Sequence, residues 1–323
     1  MKKIISCMTV FVMLLTFVFP GASLAEEKKL SIVTTIFPVY DWVRQIVGNG
    51  DNVEIAMLLD DGVDLHSYQP TAQDIMKIAT CDVFAYVGGE SDEWVEDALA
   101  EAVNTDMVVV DLMEAMGDDI REEERVEGME AEVEEAEEGE AEEAEYDEHI
   151  WLSLRNAQKL VKALAAALGE ADPANAESYA ANADAYIEKL AALDAEYAAA
   201  REAADFDTVL FGDRFPFRYL VDDYGLNYYA AFSGCSAESE ASFETVAFLA
   251  GKVDELGLTS VMTIEGDNHR IAETIVENTQ AKDARVLAMD SLQATTGEDV
   301  KNGTTYLGAM EANLEVLKQA LTK

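Results

Sequence analysis

The stretch DPANAESYAANADAYIEKLAALDAEYAAAREAA, from Asp172 to Ala204, divides the chain into two parts of similar make-up. Pro173 stands at a first-turn position behind Asp172, which is a good helix N-cap. The rest of the stretch is dense in Ala, Glu and Leu, and apolar residues such as Leu190 and Leu193 recur at helical spacing. A helix of roughly 30 residues would be about 45 Å long. We therefore expect a helix that runs along two lobes and joins them stiffly, with a surface helix of one lobe as the alternative.

Short apolar runs lie on both sides of this helix. The runs before the helix are rich in β-branched residues and bounded by turn residues, which is typical of buried strands. Strands that alternate with helical segments predict parallel sheets with helices on both faces. We expect an α/β fold of two lobes, each with a four-stranded parallel sheet flanked by helices, joined by one long rigid helix. The predicted strands are 30–35, 53–58, 82–87 and 107–112 before the helix, and 208–213, 226–232, 260–265 and 285–290 after it.

The start of the chain has the pattern of a secretory signal. Two lysines precede an apolar run, residues 4–19, and small residues at Ser23 and Ala25 precede the predicted cleavage site. The apolar run is too short to favour a membrane-spanning helix, so we expect an exported protein of the periplasm or the extracytoplasmic cell surface. The predicted division is a signal peptide at 1–25, an N-terminal α/β lobe at 26–172, a linker helix at 173–204 and a C-terminal α/β lobe at 205–323.

The chain is strongly acidic, with a formal net charge of −43. A chain of this charge repels the negatively charged phosphates of nucleic acid and of anionic lipid, so we expect neither as a partner. The segment 118–148 alone carries 18 acidic residues and two arginines. Because like-charge runs of this kind repel themselves, we expect an acidic, disordered loop. This loop either raises the local cation concentration or has no role.

One of the three histidines, His66, lies in GVDLHSYQPTAQD, residues 62–74. Thr71 and Asp74 have capping-box spacing, which predicts a helix that begins at about Ala72. His66 is therefore placed in the loop after the second strand, at the carboxyl end of that strand. Ligands of open parallel sheets bind at that edge. We interpret His66 as a metal ligand, with a structural or solvent-facing loop residue as the alternative.

The second candidate ligand, His149, directly follows the acidic segment in DEHIWLSLRNAQKL. An apolar run, from Ile150 to Leu152, and an amphipathic helix that extends to about Leu168 come after it. These neighbours should hold the ring of His149 at the margin of the first lobe. Neutral imidazoles are good donors to zinc, manganese or iron, so the two histidines predict a site for a first-row divalent metal.

Four stretches occur in a fixed order along essentially the whole mature chain: GVDLHSYQPTAQD, EHIWLSLRNA, DPANAESYAANADAYIEKLAAL and TYLGAMEANLEVLKQAL. Together they resemble the zinc/manganese-binding proteins of ABC importers. The resemblance implies two α/β lobes joined by one rigid helix, with the metal in the cleft between them. Zinc-selective members carry a charged, usually His-rich loop before the second ligand histidine. The loop at this position here is similar in place but almost purely acidic.

The resemblance implies that His66 and His149 are ligands from the first lobe and that Asp290, in RVLAMDSL, is a carboxylate ligand from the second. The family also has a histidine or glutamate ligand after the first strand of the second lobe, where this chain departs from the pattern. Asp213 is slightly favoured for this place over Cys235, and water is a third option. Asp213 could equally form a salt bridge, and Cys235 could be a small buried hydrophobe.

His269 follows a strand end, but it is expected to be a surface residue. Cys81 and Cys235 could pair outside the cytoplasm, although the sequence does not show whether they approach each other. Three acidic residues are expected to support the ligands or to capture metal weakly: Asp147, Glu148 and Glu265.

These observations predict an extracytoplasmic receptor that binds Zn²⁺ in the interlobe cleft and delivers it to the membrane permease of an ABC importer. We expect a monomer without enzymatic activity. A manganese or iron receptor of the same family is the alternative, although the Irving–Williams order and the position of the charged loop favour zinc. A secreted zinc hydrolase is the alternative of another class, because three ligands and a water form a catalytic zinc pattern. Neither HExxH nor GxSxG occurs in the sequence.

Overall fold

The computed structural model of the chain describes residues 29–48, 50, 52–130, 145–236, 240–266 and 268–323. The predicted signal peptide, 1–25, and the middle of the acidic segment, 131–144, lie outside the described residues. Within the described ranges, the helices are all too short or too polar to cross a bilayer.

Two parallel sheets form the centres of the two lobes, and this confirms the predicted fold class. The strands are β1 (Leu30–Thr34), β2 (Val53–Met57), β3 (Val83–Tyr86), β4 (Val108–Asp111), β5 (Thr208–Arg214), β6 (Asn227–Phe232), β7 (Ser260–Ile264) and β8 (Arg285–Met289). The spatial order is β2-β1-β3-β4 in the first sheet and β6-β5-β7-β8 in the second. Both lobes therefore have the same topology, and the carboxyl ends of all strands of a sheet lie at one edge.

Helices cover both sheets, which explains why the strands are continuous apolar runs. The α-helices are α1 (Phe37–Val47), α2 (Ala72–Thr80), α3 (Trp94–Ala100), α4 (Leu112–Met116), α5 (Leu154–Ala171), α6 (Ala176–Glu202), α7 (Arg218–Tyr224), α8 (Phe243–Leu256), α9 (Arg270–Asn278), α10 (Gly297–Lys301) and α11 (Tyr306–Ala320). Helix α2 starts with the predicted capping box: Thr71 Oγ1 accepts from Asp74 N, and the Asp74 carboxylate accepts from Thr71 N. The helix start places His66 just before it, as expected from the sequence.

Helix α6 joins the lobes over 27 residues, a length of about 40 Å. On the first lobe, Asn182 Nδ2 donates to the carbonyl of Ile46 in α1 at 2.9 Å. On the second lobe, Tyr197 OH donates to the carbonyl of Met310 in α11 at 2.6 Å. One continuous helix is therefore bonded to both lobes.

The start of α6 differs from the prediction by a few residues. The carboxylate of Asp172 accepts from Asn175 Nδ2 at 2.7 Å and from Tyr179 OH at 2.8 Å. Asp172 and Pro173 thus form the turn between α5 and α6, and α6 begins at Ala176. The side chain of Asp172 therefore bonds to Asn175 and Tyr179 and does not cap a helix that starts at Pro173.

Buried polar contacts also hold the lobes together. Trp151 Nε1 donates to the carbonyl of Ser291, which follows β8, at 2.9 Å. Tyr306 OH donates to the carbonyl of Trp151 at 2.6 Å, and Tyr306 N donates to Asp41 Oδ2 at 3.0 Å. Trp151, Tyr306 and Asp41 are all buried. Because separating the lobes would leave these groups without partners, we expect only limited opening of the cleft.

The structure differs from the predicted disorder at both ends of the acidic segment. Glu123 N donates to the carbonyl of Glu145, and Asp147 N donates to the carbonyl of Arg121, each at 2.9 Å. Tyr219 OH, from α7 of the second lobe, donates to the carbonyl of Asp147 at 2.8 Å and accepts from Arg121 N at 2.9 Å. Backbone pairing and a tyrosine of the other lobe fix these ends despite their like charges.

Candidate metal centre

His66 lies on a 3-10 turn, Leu65–Ser67, beyond the carboxyl end of β2. Leu65 is buried in the core of the lobe, and the carboxylate of Asp64 accepts from His66 N at 3.0 Å. The backbone of the turn is therefore held from both sides. In the ring, His66 Nδ1 lies 2.7 Å from Ser91 Oγ, which leaves Nε2 as the nitrogen available for the cleft.

His149 is fully buried and stands directly before the apolar residues that lead into α5. His149 N donates to Asp147 Oδ1 at 2.8 Å, and His149 Nδ1 lies 2.9 Å from the same oxygen. Because an ionised carboxylate only accepts hydrogen bonds, we assign the ring proton to Nδ1 and the lone pair to Nε2. A carboxylate behind the ring is the usual support of a metal-binding histidine.

The two imidazoles face each other across the site. Their Nε2 atoms are 3.1 Å apart, and the ring centroids are 5.1 Å apart. Two nitrogens bound tetrahedrally to one zinc ion, at about 2.0 Å each, would lie about 3.3 Å apart. Burial, together with the proximity of His149, lowers the pKa of His66 to about 3. The pair therefore has a spacing and a neutral state of His66 that suit a metal ion.

Cys235, in the loop after β6, supplies a third donor from the second lobe. Its Sγ and one nitrogen of each imidazole lie within 4.8 Å of one another. Burial, with the negative charge of Asp147 as the next cause, raises the pKa of the Cys235 thiol. Cys235 and Cys81 are both free thiols, and Cys81 Sγ is directed at the carbonyl of Ile78. The disulfide that the sequence left open is therefore not formed.

The Cys235 loop approaches His149 so closely that a side chain at position 234 would be crowded. A Cβ on Gly234 would lie 3.1 Å from His149 Cε1 and 3.0 Å from the carbonyl oxygen of Phe215. Glycine at this position lets the backbone next to Cys235 pack directly on the imidazole. The loop and the ring are therefore fitted to each other.

Asp213, at the end of β5, uses its carboxylate within the second lobe. Its Oδ2 accepts from Thr263 Oγ1 at 2.5 Å and from Ile264 N at 3.3 Å, and its Oδ1 accepts from Arg214 N at 2.9 Å. These bonds tie β5 to β7, and Asp213 lies outside the group formed by the three donors. His269 is also outside this group, with Nδ1 3.3 Å from Thr263 Oγ1.

Asp290 follows β8, as predicted, and lies outside the three-donor group. Its Oδ1 accepts from Leu292 N at 2.7 Å, and its backbone N–H and carbonyl both bind the amide of Asn313. Burial and the charge of Glu265 raise the pKa of Asp290 to about 6. Glu265 itself accepts from the N–H and the hydroxyl of Ser291. Both acids thus organise the strand end beside the cleft, and Asp290 Oδ2 takes no part in these bonds.

A layer of polar residues lies behind the ring of His66. Ser91 N donates to Glu148 Oε1 at 2.8 Å, and Glu148 Oε2 is 3.7 Å from His66 Nδ1. A Cβ on Gly89 would lie 2.5 Å from Glu148 Oε1, so glycine makes room for the carboxylate. The sequence interpretation includes Glu148 but misses Ser91. Ser91 follows β3 at the same sheet edge as His66, and that position is the signal that could have identified it.

The sequence of residues 32–320 matches the family described as zinc-uptake complex component A, periplasmic. A high-affinity zinc uptake system protein, ZnuA, of Bacillus subtilis is 31% identical over 301 residues, which cover 93% of this chain and 90% of that protein. A zinc-binding lipoprotein, AdcA, of Streptococcus pneumoniae is 34% identical over 299 residues and 91% of this chain. This chain spans 56% of the length of that streptococcal relative.

The fold of the chain is similar to that of a solved zinc-bound structure. The crystal structure of the Zn(II)-bound ZnuA-like domain of Streptococcus pneumoniae AdcA is matched with a TM-score of 0.70 at 30% identity. The match covers 91% of this chain and 99% of that domain. The similarity therefore includes both lobes and the helix between them.

Proposed function

Because the chain belongs to the family of periplasmic zinc-uptake components that residues 32–320 match, we propose that it captures one Zn²⁺ between its lobes. It then delivers the ion to a membrane importer. The observation that carries this proposal is the cluster of His66, His149 and Cys235, whose donor atoms lie within 4.8 Å of one another. Because two donors belong to the first lobe and one to the second, a single ion would link the lobes.

The types of donor favour zinc over manganese. Imidazole binds several first-row metals, but a thiolate is a soft ligand that suits zinc and does not suit manganese. Tetrahedral zinc with two nitrogens and one sulfur leaves a fourth position. Asp290 Oδ2 or a water is the proposed occupant. Zn²⁺ is therefore the proposed cargo, with Mn²⁺ as the alternative.

Loading would move one proton across the ring of His66. In the metal-free pair, His149 Nε2 holds a lone pair, so the 3.1 Å contact between the Nε2 atoms needs a proton on His66 Nε2. A bound cation would replace that proton and leave the proton on Nδ1, where Ser91 Oγ is 2.7 Å away. A serine hydroxyl both donates and accepts, so Ser91 can bind His66 in either state.

The polar residues near the cluster argue for a receptor and against a secreted zinc hydrolase. A hydrolase needs a general base that can reach a metal-bound water. The carboxylate of Asp147 is bonded to His149, and that of Glu148 is bonded to Ser91. Both acids thus position ligands, which is the support that a binding site requires.

The proposed place of action is outside the cytoplasmic membrane. The secretory pattern of residues 1–25 and the relatives described as periplasmic or lipoprotein both support this. The proposed partner is the permease of an ABC importer, which would accept the ion from a monomeric receptor. The stiff connection through α6 predicts that loading orders the site with only modest movement of the lobes.

The test is metal analysis of the purified protein, followed by thermal melts with added zinc or manganese. A ligand at about a thousand times its dissociation constant stabilises a fold by roughly 4 kcal/mol. We expect zinc to raise the melting temperature of the wild type clearly and manganese to raise it less. His66→Ala, His149→Ala and Cys235→Ala should each remove most of the zinc shift.

His269→Ala is the matched control, because this histidine lies outside the cluster. Its zinc shift should equal that of the wild type. An equal shift in all the variants, or a larger shift with manganese than with zinc, would contradict the proposed site.

A further inference from the structure

Residues 121–130, which we call the strap, leave the first lobe and cross onto the second. The carboxylate of Glu124 binds the guanidinium of Arg218 in α7 at 3.2 Å. At the far end of the strap, Glu130 N donates to the carbonyl of Ala231 in β6 at 2.9 Å. The first part of the acidic segment is therefore bound to the surface of the second lobe.

The shape of the strap fits the second lobe at Gly128. A Cβ at this position would lie 2.0 Å from Cδ1 of Phe248 in α8, and the φ of Gly128 is 91°. Both the space and the backbone angle favour glycine here. The strap thus follows a defined path beneath an aromatic ring of α8.

Two glutamates of the strap bind the backbone of Cys235 and the start of α8. Glu123 Oε1 accepts from Cys235 N at 3.2 Å. Glu130 Oε2 accepts from Ser242 N at 3.0 Å and from Thr245 Oγ1 at 2.6 Å, at the N-terminus of α8. The hydrogen bond from Thr245 lowers the pKa of Glu130, and an ionised carboxylate is favoured at the positive end of a helix.

We propose that Glu123 and Glu130 are positioning residues, which hold the Cys235 loop against His149 and so set the preference of the site for zinc over manganese. This inference rests on the proposed function, in which the Cys235 thiolate is a ligand. Without these bonds, the loop could move away from the two imidazoles, and the site would keep nitrogen donors but lose sulfur. A nitrogen site without sulfur discriminates less well against manganese.

The test uses Co²⁺ as a spectroscopic probe, because thiolate-to-cobalt charge transfer in the near ultraviolet reports a sulfur ligand. Zinc and manganese affinities are measured on the same full-length mature proteins. In the double variant Glu123→Ala/Glu130→Ala, we expect a weaker charge-transfer band and a zinc affinity reduced by about tenfold, as for other supports of a metal ligand. Manganese affinity should not change.

Glutamine variants test whether the hydrogen bonds of the two glutamates or their negative charges hold the Cys235 loop. Glu123→Gln and Glu130→Gln keep an oxygen that can accept the same hydrogen bonds, so the band and the zinc affinity should be retained. The exposed Glu127 lies on the same strap, and Glu127→Ala is the matched control. If the double variant does not fold, Glu123→Ala alone removes the acceptor of Cys235 N and tests the same point.

An unchanged band and zinc affinity in the alanine variants would overturn the inference. Equal losses for zinc and manganese would also overturn it, because they indicate a general effect on the fold. A wild type that binds zinc without a sulfur band would exclude the strap mechanism and leave zinc capture by the histidines intact. A wild type that binds no zinc would refute the proposed function itself.

Discussion

Arg214 and Asp64 form an ion pair across the cleft, with Arg214 Nη2 2.6 Å from Asp64 Oδ2. The other oxygen of Asp64 accepts from His66 N, so one carboxylate connects the second lobe to the backbone of a proposed ligand. Burial acts to raise the pKa of Asp64, but the hydrogen bond and charge of Arg214 bring this pKa below its usual value. The lobes are thus joined directly beside His66.

Arg214→Gln should destabilise the protein more than it affects metal binding. Removal of the cation leaves Asp64 partly buried without its partner, and we expect the free energy of unfolding at pH 7 to fall by about 1–2 kcal/mol. Zinc affinity should fall by roughly tenfold or less, because His66 keeps its bond to Asp64. Urea unfolding and zinc titration measure the two effects.

The loss caused by Arg214→Gln should depend on pH. Because the folded-state pKa of Asp64 lies below its ordinary value of 3.8, the pair stabilises the fold fully above that value, and this stabilisation is lost as the pH falls through the folded-state pKa. The wild type and the variant should therefore become more alike at pH 3. The exposed Arg270 provides the control Arg270→Gln, and a pH-independent difference would argue against the ion pair as the cause.

Zinc binding should release about one proton, and that proton should come from Cys235. Burial raises the pKa of the Cys235 thiol, so the metal must displace its proton. His66 releases none near neutral pH, because its pKa is lowered to about 3. The zinc association constant should then rise about tenfold per pH unit between pH 7 and 8, where Asp290, with a pKa of about 6, is already ionised. Calorimetry in buffers of different ionisation enthalpy counts the protons.

Cys235→Ala is the critical comparison for the proton count. This variant should bind zinc more weakly, with almost no proton release and a flatter pH dependence. Release of one proton by both proteins would assign the proton to another group and remove Cys235 from the ligand set.

The strands and the connecting helix are readable from the sequence because they depend on local pattern. Buried runs such as 208–213 are too apolar to lie on a surface, and Thr71 with Asp74 specifies the start of α2. The path of the strap cannot be predicted from local pattern. Its glutamates indicate disorder, whereas in the structure Glu130 accepts from Ser242 N at the start of α8, a donor that is 112 residues away in sequence.

The histidines of the site are predictable, but the choice of the third donor is not. His66 and His149 are indicated by the strand-end position and by motif. The sequence favours Asp213 only slightly over Cys235, because either could face the cleft. In the structure, Thr263 Oγ1 donates to Asp213 Oδ2, whereas Cys235 Sγ lies within 4.8 Å of a nitrogen of each imidazole, and this difference supports Cys235 as the proposed third donor.

Gly234→Ala should weaken zinc binding with little effect on the fold. The added methyl group would lie 3.1 Å from His149 Cε1 and 3.0 Å from the carbonyl oxygen of Phe215, so the Cys235 loop or the ring would have to shift by a few tenths of an ångström. We expect zinc affinity to fall by about tenfold or more, as measured by competition with a chelator. Gly251→Ala is the matched control, since a Cβ at Gly251 in α8 meets nothing within 4 Å.

The control variant Gly251→Ala has an expected stability of its own. Alanine in a helix is more favourable than glycine by about 1 kcal/mol, so Gly251→Ala should be as stable as the wild type or more stable, with unchanged zinc binding. Normal zinc affinity in Gly234→Ala would show that the close approach to His149 is not needed for the site.

Asp92→Asn should stabilise the metal-free protein at neutral and higher pH. Asp92 lies next to Ser91 and is buried, and its Oδ2 accepts from Val87 N and Gly88 N. Its Oδ1 has no hydrogen-bond partner among the described residues. Burial, with the charge of Glu148 as a further cause, raises the pKa of Asp92 to about 7. Ionisation of Asp92 is therefore unfavourable in the folded state.

The raised pKa of Asp92 determines the pH range in which Asp92→Asn changes stability. The folded-state pKa of about 7 lies above the ordinary value of 3.8, so the contribution of Asp92 is fully present below pH 3.8 and is lost as the pH rises through 7. Asparagine keeps an oxygen for the two backbone N–H groups and cannot ionise. Melting temperatures of the two proteins should agree at pH 4 and separate in favour of Asp92→Asn by pH 8, by on the order of 4 kcal/mol in unfolding free energy. The exposed Asp106 gives the control Asp106→Asn, and a variant that is less stable than the wild type at pH 8 would mean that the Asp92 carboxylate is needed in its ionised form.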